Sequence, residues 1–220
     1  MFSFIKQIFS LYGIFSYLVI ALFLAFFYIG TIPPYFLFLI IIMAFMISTL
    51  YYDDKNLVNR FNVSLPVSKG TIVKSRYLFS IIVSIILIAY QAVLMLLLPL
   101  ILGETSHYIY DWRDIVILIS LTMLIMSVMM PIYYMFQSFA IATIILFFLS
   151  SICGYFVLDH FVTLLDMGEV IIFNEMDPGF PLLVETYIPF QPYIILSIIA
   201  VFIFYVSMKG SEKILSLKDV

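Results

Sequence analysis

Long apolar runs separated by short polar stretches dominate this chain. The runs cover Leu11 to Ile32, Tyr35 to Tyr52, Tyr77 to Leu102, Ile115 to Phe136, Gln137 to Leu158 and Phe190 to Met208. Each holds about 18 residues or more, enough to cross a hydrocarbon layer of about 30 Å as a helix. Strands of a membrane barrel would show short alternating segments, and these runs do not alternate. In lipid the backbone must satisfy its own hydrogen bonds, so such runs are helices. The pattern predicts an all-α, polytopic membrane protein: one domain over residues 1–220 with six transmembrane helices. The first run follows Lys6, as the h-region of a signal peptide follows its basic residues, but it exceeds an h-region of about 7–15 residues and no clear small-residue cleavage site follows. It is read as a span.

Composition agrees. The chain is 65% hydrophobic and 10% charged, with a mean hydropathy of +1.21, where soluble domains carry about 25% charged residues. A single cysteine, Cys153, excludes an intramolecular disulfide, and two histidines without a Cys/His cluster speak against a structural metal site. The net charge of −3 hides a segregation. Lys and Arg of short loops stay on the cytoplasmic side. With both termini cytoplasmic, the inner segments hold Lys6, Lys55, Arg60, Lys69, Lys74, Arg76, Lys209, Lys213 and Lys218, nine of ten cations, and only Arg113 lies outside. Nine of thirteen carboxylates then fall outside. This orientation makes 53–76 the largest cytoplasmic loop and 159–189 the longest outer one, in a multi-pass protein of the cell membrane.

Five of the ten Lys and Arg fall between Asp53 and Leu78, in DDKNLVNRFNVSLPVSKGTIVKSRYL. At helical spacing Leu57, Val58, Phe61 and Leu65 share one face, with Lys55, Asn56, Asn59, Arg60 and Asn62 elsewhere. Asp53 and Asp54 suit the N-terminal end of such a helix. Pro66 stops it, and Ser68 is placed to cap a second helix that runs into the third span. This amphipathic segment either lies on lipid headgroups or docks in a protein groove. Burying side chains such as Leu57, Val58 and Phe61 is worth about 1.5–3 kcal/mol each, which is compatible with both.

The order of these features, an acidic pair after the second span, a short helix, then SLPVSKGTIVKSRYL leading into the third span, resembles the permease subunits of type-2 ABC transporters. The likeness is to the small permeases without an ATPase of their own, in particular those that export amphipathic cytolytic or antimicrobial peptides, the phenol-soluble-modulin exporters. The N-terminal stretch, with Phe2, Ile5, Ile8, Phe9 and Tyr12 on one face, is similar to their interfacial elbow helix. The resemblance implies that Asp53, Asp54, Lys55, Leu57, Val58, Arg60, Phe61 and Leu65 form a coupling helix seated in a cleft of a separate nucleotide-binding subunit. It also implies a second permease copy or paralogue, and ATP and Mg bound by the partner ATPase.

The chain carries no energy source that its sequence reveals. G-x-x-x-x-G-K-[ST] is absent, and Lys69-Gly70-Thr71 lacks the first glycine and the spacing. No Asp, Glu, His, Lys or Arg lies within the apolar runs, which speaks against an ion-coupled carrier. No catalytic pattern of a membrane hydrolase or protease is found. Asp159-His160, the one acid/imidazole neighbour pair, is read as an outer-surface cap, since adjacent helix residues do not face each other. No cofactor of the chain's own and no nucleic-acid partner is expected. The readings that compete with a transporter subunit are a non-transporting scaffold or immunity protein and, further off, the ion-coupled carrier.

Polar residues inside the runs include Tyr90, Gln91, Thr122 and Ser127, candidates for a translocation path; the ordinary use of Ser and Thr in lipid is hydrogen bonding between helices. Gln91 stands out, because an amide inside a span is costly to leave unpaired. In the outer segment, Pro178-Gly179 and Pro181 divide apolar stretches that read as interfacial helices.

Overall fold

A computed structural model describes residues 33–55, 68–102, 108–136, 138–164 and 177–217, together with residue 22. The first expected span, 11–32, lies outside the described residues apart from residue 22, and segment 56–67 lies outside them too.

All regular structure among the described residues is helical. The elements are α1 (Pro34–Lys55), α2 (Lys69–Leu102), α3 (Trp112–Met135), α4 (Phe139–Leu164), α5 (Gly179–Tyr187) and α6 (Pro192–Leu217). Five of them, all except α5, are long and apolar enough to cross a membrane. Their starts follow local chemistry. Pro34 and Pro192 open α1 and α6, where the missing N–H costs nothing. Ser68 accepts the Thr71 N–H on its Oγ at 3.3 Å, the expected cap of α2. Asp111 and Asp114 form a reciprocal capping box at the head of α3.

Helix ends depart from the apolar runs. α1 continues through Asp53 and Asp54 to Lys55, so the acidic pair lies within the span helix instead of opening a new one. No Gly or Pro precedes the pair after Pro34, and hydropathy alone does not stop a helix. α4 likewise runs through Asp159 and His160 to Leu164; that pair lies inside a helix and caps nothing. Pro181 does not divide the outer segment, because it sits in the first turn of α5, where proline is tolerated.

α3 packs against every other described helix and forms the centre of the bundle. Its Ile117, Leu118, Met126, Met129 and Met130 are buried in one cluster with Phe38, Ile42 and Met46, which recur every fourth residue on α1. The unbranched methionines fill irregular gaps between helices. α4 leaves Phe147, Phe148, Tyr155 and Phe156 exposed, as suits a helix bathed in lipid.

Candidate functional site

Two polar groupings stand at opposite ends of the bundle. The first lies where the described chain leaves for and returns from segment 56–67. There Tyr51 of α1 meets Phe139 of α4 with ring centroids 5.5 Å apart. The Arg76 guanidinium of α2 lies 5.7 Å from the Tyr134 ring of α3. Glu212 of α6 receives Lys74 at 3.5 Å and Lys209 at 2.9 Å. The basic tract after the loop is thus tied to the rest of the bundle: Lys74, Arg76 and Tyr77 contact α6 or α3.

Tyr77 completes this tie through a defect in α3. Pro131 has no N–H, so the Ser127 carbonyl four residues back has no helical donor. Ser207 of α6 supplies it, its Oγ donating to the Ser127 oxygen at 2.7 Å. With that proton committed, Ser207 accepts from the Tyr77 hydroxyl at 2.8 Å, and Ser211 in turn donates to Tyr77 at 2.9 Å. The chain of donors runs Ser211, Tyr77, Ser207, Ser127, linking α6, α2, α6 and α3. Ser211 is fully buried and Tyr77 nearly so, which strengthens each bond.

These two ties differ in worth. Lys74 and Lys209 are 48% and 45% exposed, and exposed ion pairs contribute about 0–1 kcal/mol. A buried hydroxyl bond contributes about 0.5–1.5 kcal/mol, and an orphaned partner costs about 1–3. Tyr77→Phe is therefore expected to lower the melting temperature of the purified protein more than Glu212→Gln does. Thermal unfolding in detergent at matched salt checks the order, and a larger loss from Glu212→Gln would reverse the assignment.

The second grouping lies at the other end. Tyr35, at the start of α1, and Asp114 are fully buried; Gln91 and Asp177 are 1% exposed. Asp114 accepts from the Tyr35 hydroxyl, from the Tyr108 hydroxyl at 2.9 Å and from the Asp111 N–H at 2.6 Å. Asp177, just before α5, accepts the Tyr35 N–H at 3.0 Å. Phe180 of α5 stacks on the Tyr35 ring at 4.3 Å. Gln91 donates to the Pro34 carbonyl at 3.4 Å and accepts from Tyr110 at 3.2 Å. Burial pushes the Asp177 carboxyl up to about 7; the Tyr35 N–H opposes this and the Asp114 charge adds to it. The Tyr108 phenol is also raised, first by burial and then by its bond to Asp114.

The residues singled out from the sequence distribute as follows. Asp53, Asp54 and Lys55 form the last turn of α1, whereas Leu57, Val58, Arg60, Phe61 and Leu65 lie outside the described residues. Tyr90 is half-buried on α2. Gln91 belongs to the Tyr35 grouping. Thr122 donates back to the Leu118 carbonyl at 2.9 Å and Ser127 to that of Met123 at 2.6 Å. Sequence reasoning missed Asp114 and Asp177 as buried groups. The D-W-R-D spacing at Asp111 and Asp114 carried a capping-box signal; a carboxylate between Met176 and Pro178 carried none.

Span-length helices bundled around α3, with polar side chains gathered at the two ends, define a multi-pass helical membrane protein. Residues 4–216 match the family described as ABC-2 family transporter protein. The chain belongs to that family, and as such is a membrane permease subunit of an ABC transporter. No curated protein and no solved structure matches it.

Proposed function

We propose that the chain is the membrane half of an ATP-driven exporter in the cell membrane that moves amphipathic peptides outward. It works as a pair of permeases with two copies of a cytoplasmic ATPase that binds ATP and Mg. The observation that carries this reading is family membership over residues 4–216 in a sequence with no phosphate-binding loop of its own. Hydrolysis then belongs to another polypeptide, and force must enter through the segment between α1 and α2. The basic residues at that end of the bundle fit a cytoplasmic location. The six apolar runs carry no Asp, Glu, His, Lys or Arg, which supports an amphipathic cargo over a small ion, since ion pathways in membranes are marked by ionisable side chains.

In this scheme closure of the ATPases pushes on Leu57, Val58 and Phe61. The push reaches α6 and α3 through Lys74, Arg76 and Tyr77, which are already bound there. Inverted membrane vesicles carrying the permease and its partner ATPase provide the test. ATP is expected to drive uptake of a fluorescent amphipathic helical peptide and not of a hydrophilic peptide of equal length. Equal uptake of both, or uptake without ATP, would sink the cargo assignment. Failure of any ATPase to co-purify with the tagged chain in mild detergent would sink the exporter reading itself.

A further inference from the structure

We propose that Asp177 is a proton-operated latch: protonated, it holds the N-terminal end of α5 against α1, and ionised, it lets that end go. The argument starts from Tyr35, which joins two buried carboxylates. Its hydroxyl donates to Asp114 and its N–H to Asp177. Asp114 sits at the positive end of α3 and accepts from the Tyr35 and Tyr108 hydroxyls and from the Asp111 N–H. Asp114 thus takes three donors, whereas Asp177 takes the Tyr35 N–H. Asp177 is 1% exposed and lies within range of the Asp114 charge. A buried carboxyl with few donors and no cation beside it favours its neutral form. Asp177 is the one that keeps the proton.

No cation competes for it among the described residues around it. Arg113 is the one Lys or Arg between Arg76 and Lys209, and it reaches Glu185 at 3.3 Å and Asp111 at 3.8 Å. Among the described residues, the titratable groups on the elements around Asp177 are Tyr35 of α1, Tyr108, Tyr110 and Asp111 before α3, Arg113 and Asp114 of α3, Glu185 and Tyr187 of α5, and Tyr193 of α6; Asp166, Glu169 and Glu175 precede it in the sequence and lie outside them. His160 of α4 bonds Tyr187 at the far end of α5. His107 adjoins Tyr108 in the sequence and lies outside the described residues.

The two ends of α5 are held differently. Its C-terminal half is fixed by Glu185, which takes Arg113 and the Tyr193 hydroxyl at 2.6 Å. Its N-terminal end rests on Tyr35 through the Asp177 bond and the Phe180 stack. Loss of the Asp177 proton to water leaves a buried carboxylate, and exposure of that end relieves it. The folded-state pKa is raised from 3.8 to about 7. Docking is therefore at full strength below the unfolded value and is lost as pH rises through about 7.

The test uses the full chain in nanodiscs of neutral lipid, with Phe180→Trp in a Trp112→Phe background, so that a single tryptophan reports docking on Tyr35. Emission is expected to shift to the red with a midpoint near pH 7. Asp177→Asn should keep the acid-form emission from pH ~5 to pH ~9, while His107→Gln and His160→Gln leave the midpoint in place. A flat reporter, a shift that survives Asp177→Asn, or one removed by either histidine variant overturns the latch. If the reporter chain does not fold, thermal unfolding without it decides. The melting temperature should fall between pH ~6 and pH ~8 in the unmodified chain and stay level in Asp177→Asn; parallel falls overturn the proposal.

Discussion

Phe61→Asp is expected to abolish capture of the ATPase by the tagged permease while the amount of inserted permease stays unchanged. Phe61 belongs to the apolar face of a loop outside the expected spans, so the substitution does not touch insertion. Removing a seated Phe forfeits about 1.5–3 kcal/mol, and every 1.4 kcal/mol is about tenfold in affinity. Placing a carboxylate in the same cleft adds a desolvation cost, so the combined loss should reach at least about a hundredfold. Asn62→Asp, off the apolar face, is the control and should bind within about threefold of the parent. Parental complex yield from Phe61→Asp would remove the docking role from this face.

The second large effect concerns the gap left by Pro131. Ser207→Ala removes the donor to the Ser127 carbonyl, and the orphaned oxygen should cost about 1–3 kcal/mol. In a chain of this size that is a fall of several degrees in melting temperature, at about 2–4 °C per kcal/mol. Pro131→Ala supplies a backbone N–H four residues from Ser127 and so offers the carbonyl its ordinary helical partner. The double variant should recover most of what Ser207→Ala loses, with a coupling of about 1 kcal/mol in the cycle. Simple addition of the two single effects would show that Ser207 and Pro131 are unrelated.

The spans from α1 onward were legible because apolar runs of this length have one stable solution in lipid. Ser68 was legible as a cap because its chemistry is local. That α1 and α4 run on past their apolar stretches was not, because hydropathy marks where lipid stops and says nothing of where a helix stops. Asp53 and Asp54 read as a helix start by their charge, yet no breaker precedes them and the helix simply continues. Gln91 was rightly singled out as a group needing partners. Its partners, Pro34 and Tyr110, are far away in sequence and could not be named. The same holds for Ser207: proline arithmetic points to Ser127, but only packing of α6 on α3 finds the donor. Nothing local in the sequence marks Asp177 as buried; its burial beside Tyr35 is a tertiary fact.

A central helix that touches all its neighbours also shapes how genetic variation should combine. Substitutions on α1 and α6 that never meet each other still share a common seat on α3. Their effects should therefore interact instead of summing, since additivity holds for sites with no shared partners. A change that weakens one face of α3 can be offset from the opposite face. Compensating pairs in this protein are to be sought across α3, at positions that touch it and not each other.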